Sequence, residues 1–164
     1  MLAVKWVLIV VITLVVVAIL AGQAGLLQGK VPADLGVQQG RLKGLSATDN
    51  SVSSQADLYP DHPQRKYSSI APLALNGDGP TSIAKLKSIA QGMVGARLIG
   101  SAPDYLYMQY TTPLMKYVDD VEFWFDPVAN VIQVRSASRL GKSDLGLNRK
   151  RVETVRAALI AAPP

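Results

Sequence analysis

The 164-residue chain contains no cysteine and a single histidine, His62. The first absence excludes disulfides, thiolate nucleophiles and cysteine-ligated metals. The second leaves no zinc site of ordinary composition, which needs several His or Cys ligands. It also leaves a Ser–His–Asp triad only one possible base. That base lies in YPDHPQRKY, a proline-bracketed loop where a surface or capping role is expected. Aromatic residues (6 %) and charged residues (18 %) are both scarce, and no internal repeat is visible. No residue set calls for a metal or a cofactor, and neither is expected.

Present instead is one long apolar run. WVLIVVITLVVVAILAG, Trp6 to Gly22, carries no charge. Extended to Leu27 it reaches the length of about 20 apolar residues that spans a bilayer. Its Val and Ile content would favour a strand in water, but in lipid a single segment satisfies its backbone only as a helix. Trp6 stands where an interfacial aromatic belongs, and Lys5 can reach the head groups. A cleaved signal peptide at Gly22-Gln23-Ala24 is the rival reading, against which the run is longer than an ordinary signal core. The expectation is a single-pass membrane protein with its domain on the extracytoplasmic, periplasmic side. Lys5 favours that orientation, and Lys30, Arg41 and Lys43 oppose it.

Positive charge gathers at the other end. From Val131 onward there are seven cations, Arg135, Arg139, Lys142, Arg149, Lys150, Arg151 and Arg156, against two anions, Asp144 and Glu153. That excess equals the net charge of the whole chain, +5. A basic tail of this kind suits anionic lipid, an acidic ligand or nucleic acid, or simply a solvated helix face. A membrane-tethered domain rarely meets nucleic acid, so none is expected as a partner, and Trp124 and the tyrosines are read as packing or platform residues.

The periodicities divide the chain into an anchor (1–27), an extended or irregular linker (28–69) and an α+β domain (70–164). A helix is expected over Thr81–Met93 and another over Leu147–Ala161, whose apolar stripe is Val152, Val155, Ala158 and Leu159. Between them lie strand-like runs at Ala96–Ser101, Tyr105–Thr112, Val118–Asp126 and Val131–Ser138. Short connections make these a four-stranded antiparallel meander flanked by the two helices.

Strand alternation places the charges. Val121, Phe123 and Phe125 share one face of their strand; Asp120, Glu122, Trp124 and Asp126 share the other. Pairing Asp126 with Val131 sets Phe123 over Val134, Phe125 over Ile132 and Glu122 across from Arg135, with Asp120 diagonal to Arg135 and Arg139. Tyr105, Tyr107, Gln109 and Thr111 also share a face and would line the same surface if it points that way. Asp120 and Glu122 are therefore the weak catalytic candidates, but neighbouring arginines would lower both pKa values, which suits a general acid poorly. The candidate ligand-binding residues are Arg135, Ser136, Ser138, Arg139, Asn148 and Arg149. The serines, glycines and Asn148 precede a helix whose N-terminal amides favour anions. Arg139, Lys142 and Arg149 would form a forked clamp for phosphate or carboxylate. The motif lacks P-loop spacing. The alternative is that Asp144 and Asn148 cap the helix and the arginines pair with Asp119 and Asp120.

GVQQGRL (Gly36–Leu42), NSVSSQA (Asn50–Ala56), VDDVEFWFD and VRSASRLGKSDLGLNRKRVE together resemble the uncharacterised family known as domain of unknown function 1499, over about Gly36 to Leu159. The resemblance implies a membrane-attached or exported bacterial protein, or an organellar relative. It implies no reaction, ligand or catalytic residue. Members of that family often carry cysteines at the positions of Leu45 and Ser51. Their joint absence here is what a disulfide would predict, and no function of this chain rests on those thiols. Three functions remain open: binding of an anionic ligand, lipid head group or acidic partner; an exported enzyme on a phosphorylated or carboxylated substrate; and a cell-envelope scaffold.

Overall fold

The computed structural model describes residues 2–163. Helix α1 (Leu2–Gln23) is long and apolar enough to cross a membrane, and of its residues only Gly22 is buried. The domain that follows is an antiparallel sheet with helices on one face. Strands β1 (Ser51–Ser53), β2 (Ala96–Ser101), β3 (Tyr105–Thr111), β4 (Val118–Asp126) and β5 (Val131–Ser138) lie in the order β1-β5-β4-β3-β2. Helices α3 (Gly79–Gln91) and α4 (Leu147–Ala161) pack on the sheet, and a single turn, α2 (Arg65–Ser68), lies beside β1.

The sheet has five strands, not the four expected. The additional one, β1, comes from the segment read as linker and pairs with the outer edge of β5, Val52 opposite Ser136. Three residues with one valine between two serines carry too little alternation to register as a strand. Val52 nevertheless belongs to the core, and Leu42 and Ala56 of the same segment are also buried. The segment satisfies its own polar groups: the Leu42 amide donates to Gln55 Oε1 at 2.8 Å, and Gln55 Nε2 donates to the Gly40 carbonyl at 3.0 Å.

The core lies between the sheet and the helices. Leu106 and Met108 of β3, Val121 and Phe123 of β4, and Ile132 and Val134 of β5 meet Ile83 and Leu86 of α3 and Val152, Val155 and Leu159 of α4. Burying side chains of this size contributes about 1.5–3 kcal/mol each. The β4–β5 register is the one alternation demanded: Asp126 pairs with Val131, Phe125 with Ile132, Phe123 with Val134 and Glu122 with Arg135. Its turn closes with Asn130 in the left-handed region (φ 54°), a conformation asparagine tolerates, while Asp126 Oδ1 accepts from the Val128 and Ala129 amides. At α3, Asp78 caps the first turn by accepting from the Thr81 amide at 2.7 Å.

Candidate functional site

Strand parity sends the charged motif to both faces of the sheet. Even-numbered residues of β4 and odd-numbered residues of β5 face away from the helices; the others face α4. The six candidate ligand-binding residues are therefore divided.

On the helix face, Ser136, Ser138 and Asn148 are joined by two residues that the set omitted, Asp119 and Arg151. The Arg151 guanidinium donates to Asp119 Oδ2 at 2.5 Å, to Asn148 Oδ1 at 2.7 Å and to Ser136 Oγ at 3.1 Å. It also lies 4.6 Å from the centre of the Tyr110 ring. Asn148 donates onward to Ser138 Oγ and the Asn50 carbonyl, each at 3.1 Å. This network ties α4 to β4, β5 and the entry to β1. Asn148 thus does not cap α4. Asp144 does, accepting from the Gly146 and Asn148 amides while Tyr67 O–H donates to its Oδ1 at 2.7 Å. Burial and that hydrogen bond push the Tyr67 phenol up to about 12. Arg149 lies apart from the other candidates and donates to the Tyr67 carbonyl, next to Pro63 and Lys66. Lys142 is exposed. The expected Arg139–Lys142–Arg149 clamp is not assembled, because Arg139 turns to Asp120, Arg149 turns to the Tyr67 carbonyl and Lys142 stays exposed in the loop between them.

The opposite face holds Asp120, Glu122, Arg135 and Arg139. Tyr105 and Tyr107 do point this way, which the sequence left open. Arg139 grips Asp120 with two bonds, Nε to Oδ2 at 2.8 Å and Nη2 to Oδ1 at 2.7 Å. Tyr107 O–H donates to the same Oδ1 at 2.6 Å. The side chains of Arg139 and Asp120 are only 6 % and 2 % exposed, and hydrogen bonding to Asp120 raises the Arg139 pKa further. Glu122 is fully buried; its Oε1 accepts from Tyr105 O–H at 2.7 Å and from the Gly36 amide at 2.6 Å.

Arg135 and Glu122 are opposed across the strands, yet among the described residues Arg135 has no carboxylate oxygen within 4.0 Å. Arg135 Nε donates to the Gly44 carbonyl at 3.2 Å. Its Nη1 and Glu122 Oε2 are both buried without a hydrogen-bond partner among the described residues. Polar atoms of charged groups are seldom left so, because each unmet bond costs more than an exposed one. Arg135 lines a cleft of about 260 Å³ together with Lys30, Lys43, Arg139, Asp120 and the backbone around Ser46–Thr48. Residues 30–48 form its outer wall, so a segment read as linker covers the charged face.

Burial raises the Glu122 pKa, and the Gly36 amide, Tyr105 and Arg135 offset that only in part. The lowering expected from the neighbouring arginines is therefore overturned: desolvation outweighs a guanidinium that stands back from the carboxylate. Burial likewise lowers the Arg135 pKa, with Glu122 opposing. A carboxyl whose native pKa exceeds its unfolded value binds its proton more tightly when folded. Its contribution to stability is present below about pH 4.5 and is lost as pH rises through the native value. Glu122→Gln is expected to flatten this loss. Unfolding midpoints of wild type and variant, measured from pH 4 to 8, should diverge in favour of the variant as pH rises; parallel curves would contradict the assignment.

His62 serves local structure, its Nδ1 accepting from the Gln64 amide at 3.1 Å. Among the described residues no three His, Asp or Glu side chains cluster to hold a metal.

A family model described as "Protein of unknown function (DUF1499)" matches residues 33–159. The chain belongs to the DUF1499 family. The matched residues take in β1, both polar networks and the covering segment from residue 33, so the DUF1499 unit includes most of the cleft wall, though not Lys30 or Pro32. No curated protein and no solved structure matches the chain.

Proposed function

We propose that this DUF1499 protein is a membrane-anchored binding domain for a small anion, a phosphate or carboxylate group either free or carried on a lipid head group. In this reading α1 is retained in the bilayer and the domain stands on the extracytoplasmic side. The observation that carries it is Arg135, whose Nη1 is a buried cationic donor without a partner among the described residues and which lines a cleft with Lys30, with Lys43, paired to Asp34, and with Arg139, paired to Asp120. An anion there would complete the guanidinium's bonds and offset its desolvation. The cleft is small, which suits a head group or a single acidic moiety rather than a large substrate.

The division of the motif assigns the remaining residues. Arg139 is committed to Asp120, and Ser136, Ser138 and Asn148 to the helix-face network; these serve the fold. An acid–base role for Asp120 finds no support, since both its oxygens are occupied and one partner is a guanidinium.

The test is a thermal-shift series on the full-length protein in detergent with inorganic phosphate, glycerol phosphate and sugar acids. An anion at about 100 times its Kd stabilises the native state by about 2.7 kcal/mol. Arg135→Gln is expected to abolish that shift. Lys30→Ala removes an exposed side chain and should weaken binding without moving the unliganded midpoint. An undiminished response in Arg135→Gln, or no response to any of these anions, would overturn the reading.

A further inference from the structure

One end of the sheet carries the C-terminus of α1, the β3–β4 turn and the loop from β5 to α4. Gln23 Nε2 donates to the Leu114 carbonyl at 2.9 Å, and Gly22, lacking a side chain, lets α1 meet the Met115 carbonyl. The following chain returns across the same end, where Gly29 lies against Arg139 and Leu140. Around this junction stand exposed large aliphatic side chains: Leu26, Val94, Leu114, Leu140, Leu145 and Leu147. Val94 and Leu147 line one shallow groove with Thr112, Pro113 and Lys150. Leu145 is the most unusual. It is 96 % exposed and sits in the left-handed region (φ 53°), so its backbone is strained while its side chain meets no protein.

Lys30, Lys142 and Lys150 are exposed at the α1 end, with the exposed carboxylates Asp49 and, paired to Lys43, Asp34. The far end, a nine-residue strand or about 30 Å away, has turns bearing Asp104 and Asp126, with Arg41 beside Asp126. Apolar side chains interspersed with lysines are what an anionic membrane surface accommodates, leucines entering the acyl boundary and ammonium groups remaining among phosphates.

We infer that this end of the domain docks on the bilayer that α1 crosses, with Leu114 and Leu145 inserted at the interface and Lys142 and Lys150 on anionic head groups. The inference rests on α1 being a membrane span. It follows from the continuity of the face with α1 and from the lysines set among its exposed aliphatic side chains. Docking sets the mouth of the Lys30–Arg139 cleft close to the head-group layer, so a lipid's own phosphate is within the domain's reach.

A chain without cysteine permits a direct test. Leu114→Cys, Leu145→Cys, Val128→Cys and Val10→Cys are each spin-labelled in the full-length protein. Oxygen and nickel-chelate accessibilities are then compared in phosphatidylcholine nanodiscs with and without phosphatidylglycerol. Labels at 114 and 145 should favour oxygen, as the α1 label at 10 does, whereas the far-end label at 128 should favour nickel. Lys142→Glu with Lys150→Glu should return the label at 145 toward water. A water-like label at 145 beside a lipid-buried label at 10 would overturn docking and leave the anchor standing. A water-like label at 10 would overturn both.

Discussion

Replacing Arg151 by Met should destabilise the domain by about 3–5 kcal/mol, a large part of the roughly 5–15 kcal/mol that holds an ordinary domain together. The guanidinium is buried with Asp119, whose side chain is 3 % exposed, and its loss strands that carboxylate beneath α4. Asn148 and Ser136 lose a shared donor in the same step. The cost comes mainly from the orphaned charge, so Asp119→Leu added to Arg151→Met should recover much of it. Chemical denaturation in detergent, followed by Trp124 emission in a Trp6→Phe background, measures both. A single variant within about 1 kcal/mol of wild type would mean the pair is solvated and the network incidental.

Arg139→Ala should cost a similar amount, about 3–5 kcal/mol, on the other face. Asp120 would keep only Tyr107 as a donor, in a site as dry as that of Asp119. Arg139→Lys should recover only part of the loss, because an ammonium cannot reproduce two parallel N–H bonds to one carboxylate. This separates Arg139 from Arg135. The first is a structural cation whose removal lowers stability with or without anion. The second has a free donor, and its removal should show first in anion binding. Equal losses of stability, and of binding, in Arg135→Gln and Arg139→Ala would erase the distinction.

Much of this arrangement was legible in the sequence because strands alternate strictly. Parity, with Asp126 paired to Val131 across the turn, put Glu122 opposite Arg135 and Phe123 over Val134, and α4 was bounded by its apolar stripe. What parity could not supply was which charged side chains from different elements meet. Asp119 reads as one more acid in VDDVEF, yet its odd number puts it with Val121 and Phe123 on the core side. Arg151 stands four residues before Val155 and eight before Leu159, on the buried stripe of α4. Both signals were present, and only their conjunction in space makes an ion pair. The edge strand β1 was harder. Ser51-Val52-Ser53 has one apolar residue, and its pairing with β5 spans more than eighty residues of chain, so no local pattern announces it. The covering segment has the same character: Gly36 and Gly44 act through their backbone amide and carbonyl, which composition does not reveal.

The central claim is that Arg135 keeps a cationic donor free for an anion. Guanidinium nitrogen NMR of the full-length protein, titrated with inorganic phosphate, addresses it most directly. The account predicts that the Arg135 Nε and Nη signals shift and saturate, while those of Arg151, which is closed within its network, stay in place. Arginine signals that all drift together without saturating, or an Arg135 signal that does not move, would contradict it.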